Sequence, residues 1–285
     1  MTPTTFHIGG ELEVGRLGFG AMHLGGGPGP ARANALAVAR RAVELGVTLI
    51  DTAHLYGWGA NEEILAEALH PYPDGLLLTT KVGVVRDERG QWAHDARPAS
   101  LRVQVEAALS RLRVERIELL QLHRVDPNTP LAEQLGALSD LRAEGKVGHI
   151  GLSEVTAEEL AMARESVDIA SVQNRYNLLD RQHEPVLAAC EAAGIAFLPW
   201  RPVDPRASGA QAVVAAVAAE LDAAPAQVAL AWLLHHSPVI LPIPGTSRIS
   251  HLEENLAAAD LPLTPAHRTR LDRLTAQPQR PGTTP

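Results

Sequence analysis

The sequence predicts an α/β protein folded as a (β/α)8 barrel, the TIM-barrel architecture, preceded by a short N-terminal β-hairpin. Three observations carry that prediction. Short apolar runs alternate with longer segments of helical periodicity, the rhythm of βα units with parallel strands. Eight such runs can be found between residues 16 and 245. A chain of 285 residues with 46% hydrophobic content can bury a large core and has the ordinary size of one such barrel.

Taken in order, "TFHIGGELEVGR" reads as a hairpin turning at Gly9-Gly10, a plug for the barrel floor. The eight expected strands are "RLGFGAM" (16–22), "VTLIDTA" (47–53), "LLLTTKV" (76–82), "IELLQLH" (117–123), "HIGLS" (149–153), "ASVQN" (170–174), "AFLPW" (196–200) and "VILPIPG" (239–245). Between them, "NALAVARRAVELG", "LRVQVEAALSRLRV" and "LAEQLGALSDLRAEG" place apolar residues at i, i+3 and i+4 and often end at glycine. The stretch "ASGAQAVVAAVAAELDAAPAQVALAWLLHHS" predicts two helices divided near Pro225, and "TPAHRTRLDRLT" predicts a last one. The Pro-, Gly- and Thr-rich tail at 276–285 reads as loose, and with no interdomain linker in sight residues 1–285 read as a single domain.

Composition narrows the function. A formal charge of −8 provides no basic stripe to neutralise phosphates, which disfavours nucleic acid and anionic membranes and leaves small molecules as the expected partners. Cys190 is the only cysteine, so no intrachain disulfide or thiolate zinc cluster can form; its apolar helical surroundings predict a buried thiol. The N-terminus has no basic segment followed by an apolar one, and no apolar run approaches the ~18 residues of a membrane span, so the expected location is cytoplasmic.

Polar residues gather where the strands end, which is where reactive groups of such barrels collect. Asp51 ends the second strand and leads to His54 and Tyr56; Lys81, His123, Ser153 and Gln173 close later strands, followed by Trp200 with Arg201 and Gly245 with Thr246 and Ser247. Each alone is ordinary: Asp51 as a cap, Lys81 as a charge reaching solvent, His123 as a hydrogen-bonded core imidazole. Together at one rim they point to a site. A phenol with a pKa of about 10 is a poor acid at neutral pH, and an ammonium beside it lowers that value. The expectation is therefore a relay in which Asp51 holds Lys81 and Lys81 lowers the pKa of Tyr56, while His123 positions a carbonyl oxygen for protonation.

In "LIDTAHLYG", "TTKVG", "LLQLHRVD", "GHIGLSEV", "SVQNRYNLLDR" and "IPGTS…HLEEN", taken in this order, the chain resembles the aldo-keto reductases over nearly its whole length. The resemblance implies a metal-free barrel in which Asp51, Tyr56, Lys81 and His123 are the catalytic tetrad and a nicotinamide cofactor is held without a Rossmann domain. The dinucleotide fingerprint does fail here: "GFGAMH" has His23 where the third glycine would stand. The resemblance further implies that Ser153 and Gln173 hold the carboxamide and Trp200 stacks on the nicotinamide, with Arg201 close by. Gly245, Thr246, Ser247, Arg248 and His251 would meet the adenosine phosphate, and Glu254 and Asn255 the adenine. Arg248 and His251 suit a 2′-phosphate, so NADPH/NADP+ is expected over NADH. Glu154 and Arg201 stand where the family commonly has Asn and a Ser or aromatic residue. His23, His54, Trp58 and Trp92 are the candidates to line the substrate pocket.

Three segments, "EALHPYPDGLLLTTKVGVV", "GQWAHDARP" and "LPIPGTSRISHLEENLAAA", are similar to the bacterial pyridoxal-reductase-like branch, which implies an aromatic aldehyde such as pyridoxal as substrate; a biosynthetic ketone is the other candidate. Two other functions compete with carbonyl reduction. A metal-dependent barrel hydrolase would need His-x-His after the first strand, and none is there. A non-catalytic NADPH-binding barrel, resembling the potassium-channel β-subunits, is the alternative that turnover would separate.

Overall fold

The computed structural model describes residues 4–25, 27–203 and 211–274. In chain order, β1 (Thr5–Ile8) and β2 (Leu12–Gly15) form the antiparallel hairpin, turning through Gly9 and Gly10 as expected. The barrel begins with β3 (Phe19–Gly20), α1 (Pro30–Glu44), β4 (Leu49–Asp51), α2 (Ala60–Leu69) and β5 (Leu77–Val82). A second small hairpin, β6 (Val84–Arg86) with β7 (Trp92–His94), interrupts the rhythm and was not expected. The rhythm resumes with α3 (Pro98–Leu112), β8 (Ile117–Leu122), α4 (Leu131–Ala143), β9 (Val147–Ser153), α5 (Ala157–Arg164), β10 (Ile169–Gln173), α6 (Glu184–Ala193) and β11 (Ala196–Phe197). Four helices follow: α7 (Gln211–Glu220), α8 (Pro225–His236), α9 (Ile249–Leu256) and α10 (Pro265–Asp272), with the break between α7 and α8 falling before Pro225. The loose tail expected at 276–285 lies outside the described residues.

The parallel sheet runs β11-β10-β9-β8-β5-β4-β3, a curled wall of seven strands. The eighth expected strand, 239–245, occupies its place without forming a regular ladder. It touches its neighbours at two bridges, Phe197 with Ile240 and Gly20 with Gly245. The reason is local: Pro242 and Pro244 accept from the Gly18 and Gly20 amides, at 2.9 and 3.2 Å, but have no N–H to return. On the β3 side the closure rests mainly on the Pro242 and Pro244 carbonyls.

Two-residue alternation then organises the interior. Ile8, Val14, Leu49, Leu77, Leu119, Ala170, Leu198, Leu241 and Ile243 share one buried cluster, so the hairpin does plug the apolar floor. Two residues further along the same strands the inward positions turn polar: Leu49 gives way to Asp51, Leu77 to Thr79 and Lys81, Leu119 to Gln121 and then His123. The outer faces pack on the helices in a large cluster that includes Leu101, Leu120, Ile150, Val172 and Trp232. Cys190 lies in that shell, buried, its thiol pushed up to about 12 by desolvation. Among the described residues no single helix is long and apolar enough to cross a membrane.

The seam is intolerant of side chains. A Cβ on Gly20 would stand 2.7 Å from the Ile243 carbonyl oxygen and one on Gly245 2.8 Å from that of Gly20. Because the obstacle is backbone, we predict that Gly20→Ala destabilises the fold by about 1–3 kcal/mol. Urea denaturation measures this, and an unchanged midpoint would refute the tight seam.

Candidate active site

The polar ends of β4, β5, β8, β9 and β10 converge on one mouth. Lys81, 1% exposed, donates from Nζ to Asp51 Oδ2 at 2.6 Å and to the Thr52 carbonyl at 2.9 Å. The same ammonium reaches the Tyr56 hydroxyl at 3.4 Å. Asp51 is held in turn: its Oδ1 accepts from Gln173 Nε2 at 2.8 Å and Gln121 Nε2 at 3.2 Å, and Gln121 also donates to Thr79. Burial opposes the Lys81 charge, yet Asp51 and Tyr56 outweigh it and hold its pKa above the ordinary value. Lys81 is thus an ammonium at neutral pH.

Tyr56 arrives through a turn that the sequence makes possible. Gly57, Trp58 and Gly59 all adopt positive φ, 64°, 56° and 95°, which folds the chain back so that α2 can start at Ala60. The phenol corrects one expectation. Lys81 and Arg124 do lower its pKa, but desolvation is the larger effect, with Asp51 adding to it, and the net direction is upward. Tyr56 is therefore a protonated phenol, a donor rather than a standing phenolate. Its ring lies edge-on to His123, centroids 6.2 Å apart. Burial first, then Lys81, Arg124 and His54, push the His123 pKa well below its ordinary value, so the imidazole is neutral. Its Nδ1 is buried with no hydrogen-bond partner among the described residues.

Several participants were not anticipated. Gln121 stands in the apolar run "IELLQLH", where a buried amide needs a partner; that was the available signal. Glu62, fully buried, accepts from Thr80 Oγ1 at 2.6 Å and pairs with Arg111 at 2.6 Å. Arg111 also reaches His54 Nδ1 at 3.2 Å. A guanidinium has no acceptor, so His54 accepts there and carries its proton on Nε2. Arg124 donates to the His123 carbonyl at 2.6 Å and to Ser153 Oγ at 3.3 Å.

The remaining candidates divide by position. Ser153 and Gln173 are buried at the mouth beside the relay, although Gln173 Nε2 is committed to Asp51. Trp200 is half-buried, and its indole N–H donates to Glu154 Oε1 at 2.5 Å, the same oxygen that accepts from the Arg175 amide at 2.7 Å. Glu154, in the left-handed region at φ 57°, is thereby a holder of Trp200. Arg201 lies 5.5 Å over the Trp200 ring, and the loop beyond residue 203 lies outside the described residues until 211. His54 and Trp58 meet edge-on at 5.9 Å near Tyr56, with Arg86 of β6 over Trp58. Exposed His23 lies against Gly245, while Trp92, 41% exposed, sits out on the β6–β7 hairpin.

The rim also has features that suit a nicotinamide dinucleotide. The buried, partnerless His123 Nδ1 and the Ser153 hydroxyl mark the deep end. At the other end Gly245, Ser247 and Arg248 are exposed and lead into the first turn of α9, which has no side-chain cap; His251 is exposed in that turn, and Glu254 and Asn255 are half-buried further along. Uncapped amides beside two basic side chains fit an anionic group.

Comparison with known proteins agrees. The model of the Aldo/keto reductase family matches residues 16–276. An uncharacterized oxidoreductase of Schizosaccharomyces pombe is 43% identical over 272 residues, covering 92% of this chain and 87% of the relative. Pyridoxine 4-dehydrogenase of Escherichia coli is 39% identical over 287 residues, covering 97% of this chain and 100% of the relative. An aldo-keto reductase from Klebsiella pneumoniae, solved in complex with NADPH, superposes with a TM-score of 0.85 at 28% identity over 98% of both chains. A curled parallel barrel with a polar mouth defines the class, and this chain belongs to the aldo/keto reductase family of oxidoreductases.

The depressed His123 and His54 pKa values have a consequence for stability. Below the unfolded imidazole pKa of about 6.5 the unfolded chain takes up protons that the folded one does not, so stability falls as pH falls, by up to ~1.4 kcal/mol per pH unit for the buried His123 and by less for the half-buried, solvent-screened His54. Urea midpoints at pH 7, 6 and 5 should therefore decline, and His123→Asn should decline less steeply. Parallel curves for the two proteins would contradict the neutral buried imidazole.

Proposed function

We propose that this protein reduces the carbonyl of a small aldehyde or ketone to the alcohol with NADPH. The observation that carries the reading is the single buried ammonium of Lys81 shared by Asp51 and the Tyr56 hydroxyl. Bound NADPH supplies the hydride. Tyr56, protonated and half-buried at the mouth, donates its hydroxyl proton to the carbonyl oxygen. Lys81 then faces the phenolate oxygen that this leaves, and its charge stabilises it without having to move. Asp51 keeps that ammonium in place, and Gln121 and Gln173 keep Asp51 in place. Neutral His123 donates an N–H toward the carbonyl oxygen and aligns it with the phenol.

Ser153 and Gln173 are assigned to the carboxamide and Trp200 to the nicotinamide face, the last supported by the Glu154 bond that sets the indole's orientation. Gly245 through Arg248, with His251, take the adenosine phosphate; the NADPH-bound Klebsiella relative supports that choice of cofactor. The pyridoxine dehydrogenase relative supports a pyridoxal-like aromatic aldehyde as the substrate class, with His54 and Trp58 nearest the reacting groups.

Steady-state NADPH consumption with pyridoxal and a panel of aromatic aldehydes tests this directly. Tyr56→Phe is expected to lower turnover by about 10²–10⁴-fold while cofactor binding, followed by fluorescence, is preserved; retained turnover would remove Tyr56 from the role. Arg248→Ala is expected to raise the NADPH dissociation constant roughly 10-fold or more and to leave that of NADH nearly alone. Equal losses for both cofactors would sink the 2′-phosphate assignment.

A further inference from the structure

Among the described residues, three cations around the mouth each have a carboxylate partner. Lys81 is paired with Asp51, Arg111 with Glu62 and Arg175 with Asp180. Arg124, half-buried next to His123, donates from Nη1 to two neutral oxygens, the His123 carbonyl and Ser153 Oγ. Among the described residues no carboxylate lies within ion-pair distance of it, and its Nε and Nη2 make no hydrogen bond. Glu154 acts on it through space, while its Oε1 accepts from the Trp200 indole and the Arg175 amide. A half-buried guanidinium with an unused edge is an unfinished ion pair. The edge stands at the end of β8, near enough to Tyr56 to influence its phenol.

We propose that Arg124 forms an oxyanion-recognising subsite of the substrate pocket, so that the preferred substrate is a carbonyl compound carrying a carboxylate, phosphate or comparable anionic oxygen. This rests on the carbonyl-reductase reading above. The planar fork of arginine suits such a group bidentately, and a fixed cation is needed to attract it into a protein whose formal charge is −8. The two bonds from Nη1 hold the guanidinium in place before the substrate arrives.

The test compares 4-carboxybenzaldehyde with methyl 4-formylbenzoate, which has the same aldehyde and a neutral para group. The ester is the more electron-withdrawing, so intrinsic reactivity opposes the expected preference. Wild-type kcat/KM should favour the carboxylate by about tenfold or more, and Arg124→Gln should collapse that ratio by about 10–100-fold. Arg124→Lys, which keeps the charge without the fork, should retain part of it. A wild-type ratio at or below one overturns the subsite while leaving the reductase reading intact, and needs no variant to fold. A ratio unchanged in Arg124→Gln overturns it as well, as does a loss confined to NADPH affinity, which would assign Arg124 to the cofactor. Failure of the wild type to reduce either aldehyde, or any of the aromatic panel, removes the reductase reading and the subsite with it.

Discussion

The buried pair of Lys81 and Asp51 is the constraint on which the rest of the site depends. Taking both charges out of water costs several kcal/mol each, and their attraction offsets that only when geometry is good and the remaining lone pairs are filled. Here the geometry is met by four strands at once: β4 brings the carboxylate, β5 the ammonium, β8 and β10 the two glutamines that occupy Asp51 Oδ1. A register slip in any of them would strand a buried charge. The same pair that sits at the centre of the polar mouth therefore also specifies how the strands align.

Polarity inside the barrel follows a gradient along the strands. The floor is apolar and closed by Ile8 and Val14 of the hairpin; the upper layers are polar and joined into one network. Low dielectric below and convergent dipoles above make each interaction at the mouth stronger than it would be in water, which is why Tyr56 stays protonated beside an ammonium and His123 stays neutral. Both states suit donation of hydrogen to an oxygen that gains negative charge.

Around this centre the loops fix orientation. Glu62 and Arg111 settle the tautomer of His54, and Glu154 aims Trp200. The departures from the commoner family pattern at 154 and 201 thus have a place: one holds the indole edge and the other lies over its face.

The sequence by itself determined the barrel, the plug and the strand ends where Asp51, Lys81 and His123 stand, because strand period and strand ends are local properties of the chain. Alternation put Asp51, Lys81 and His123 on the inward face, and Gly57 and Gly59 made the turn to Tyr56 possible. It did not determine the eighth strand's missing ladder, since the effect of Pro242 and Pro244 depends on which neighbour their carbonyls meet. Nor did it determine the phenol's state: Lys81 beside Tyr56 argued for a lowered pKa, whereas desolvation, a property of the whole surrounding volume, carried it upward. Gln121, Glu62, Arg111 and Arg124 stayed hidden for the same reason. Their meaning lies largely in partners far along the chain, as in Thr80 with Glu62 and Gln121 with Asp51, and only the closed tertiary structure brings those partners together.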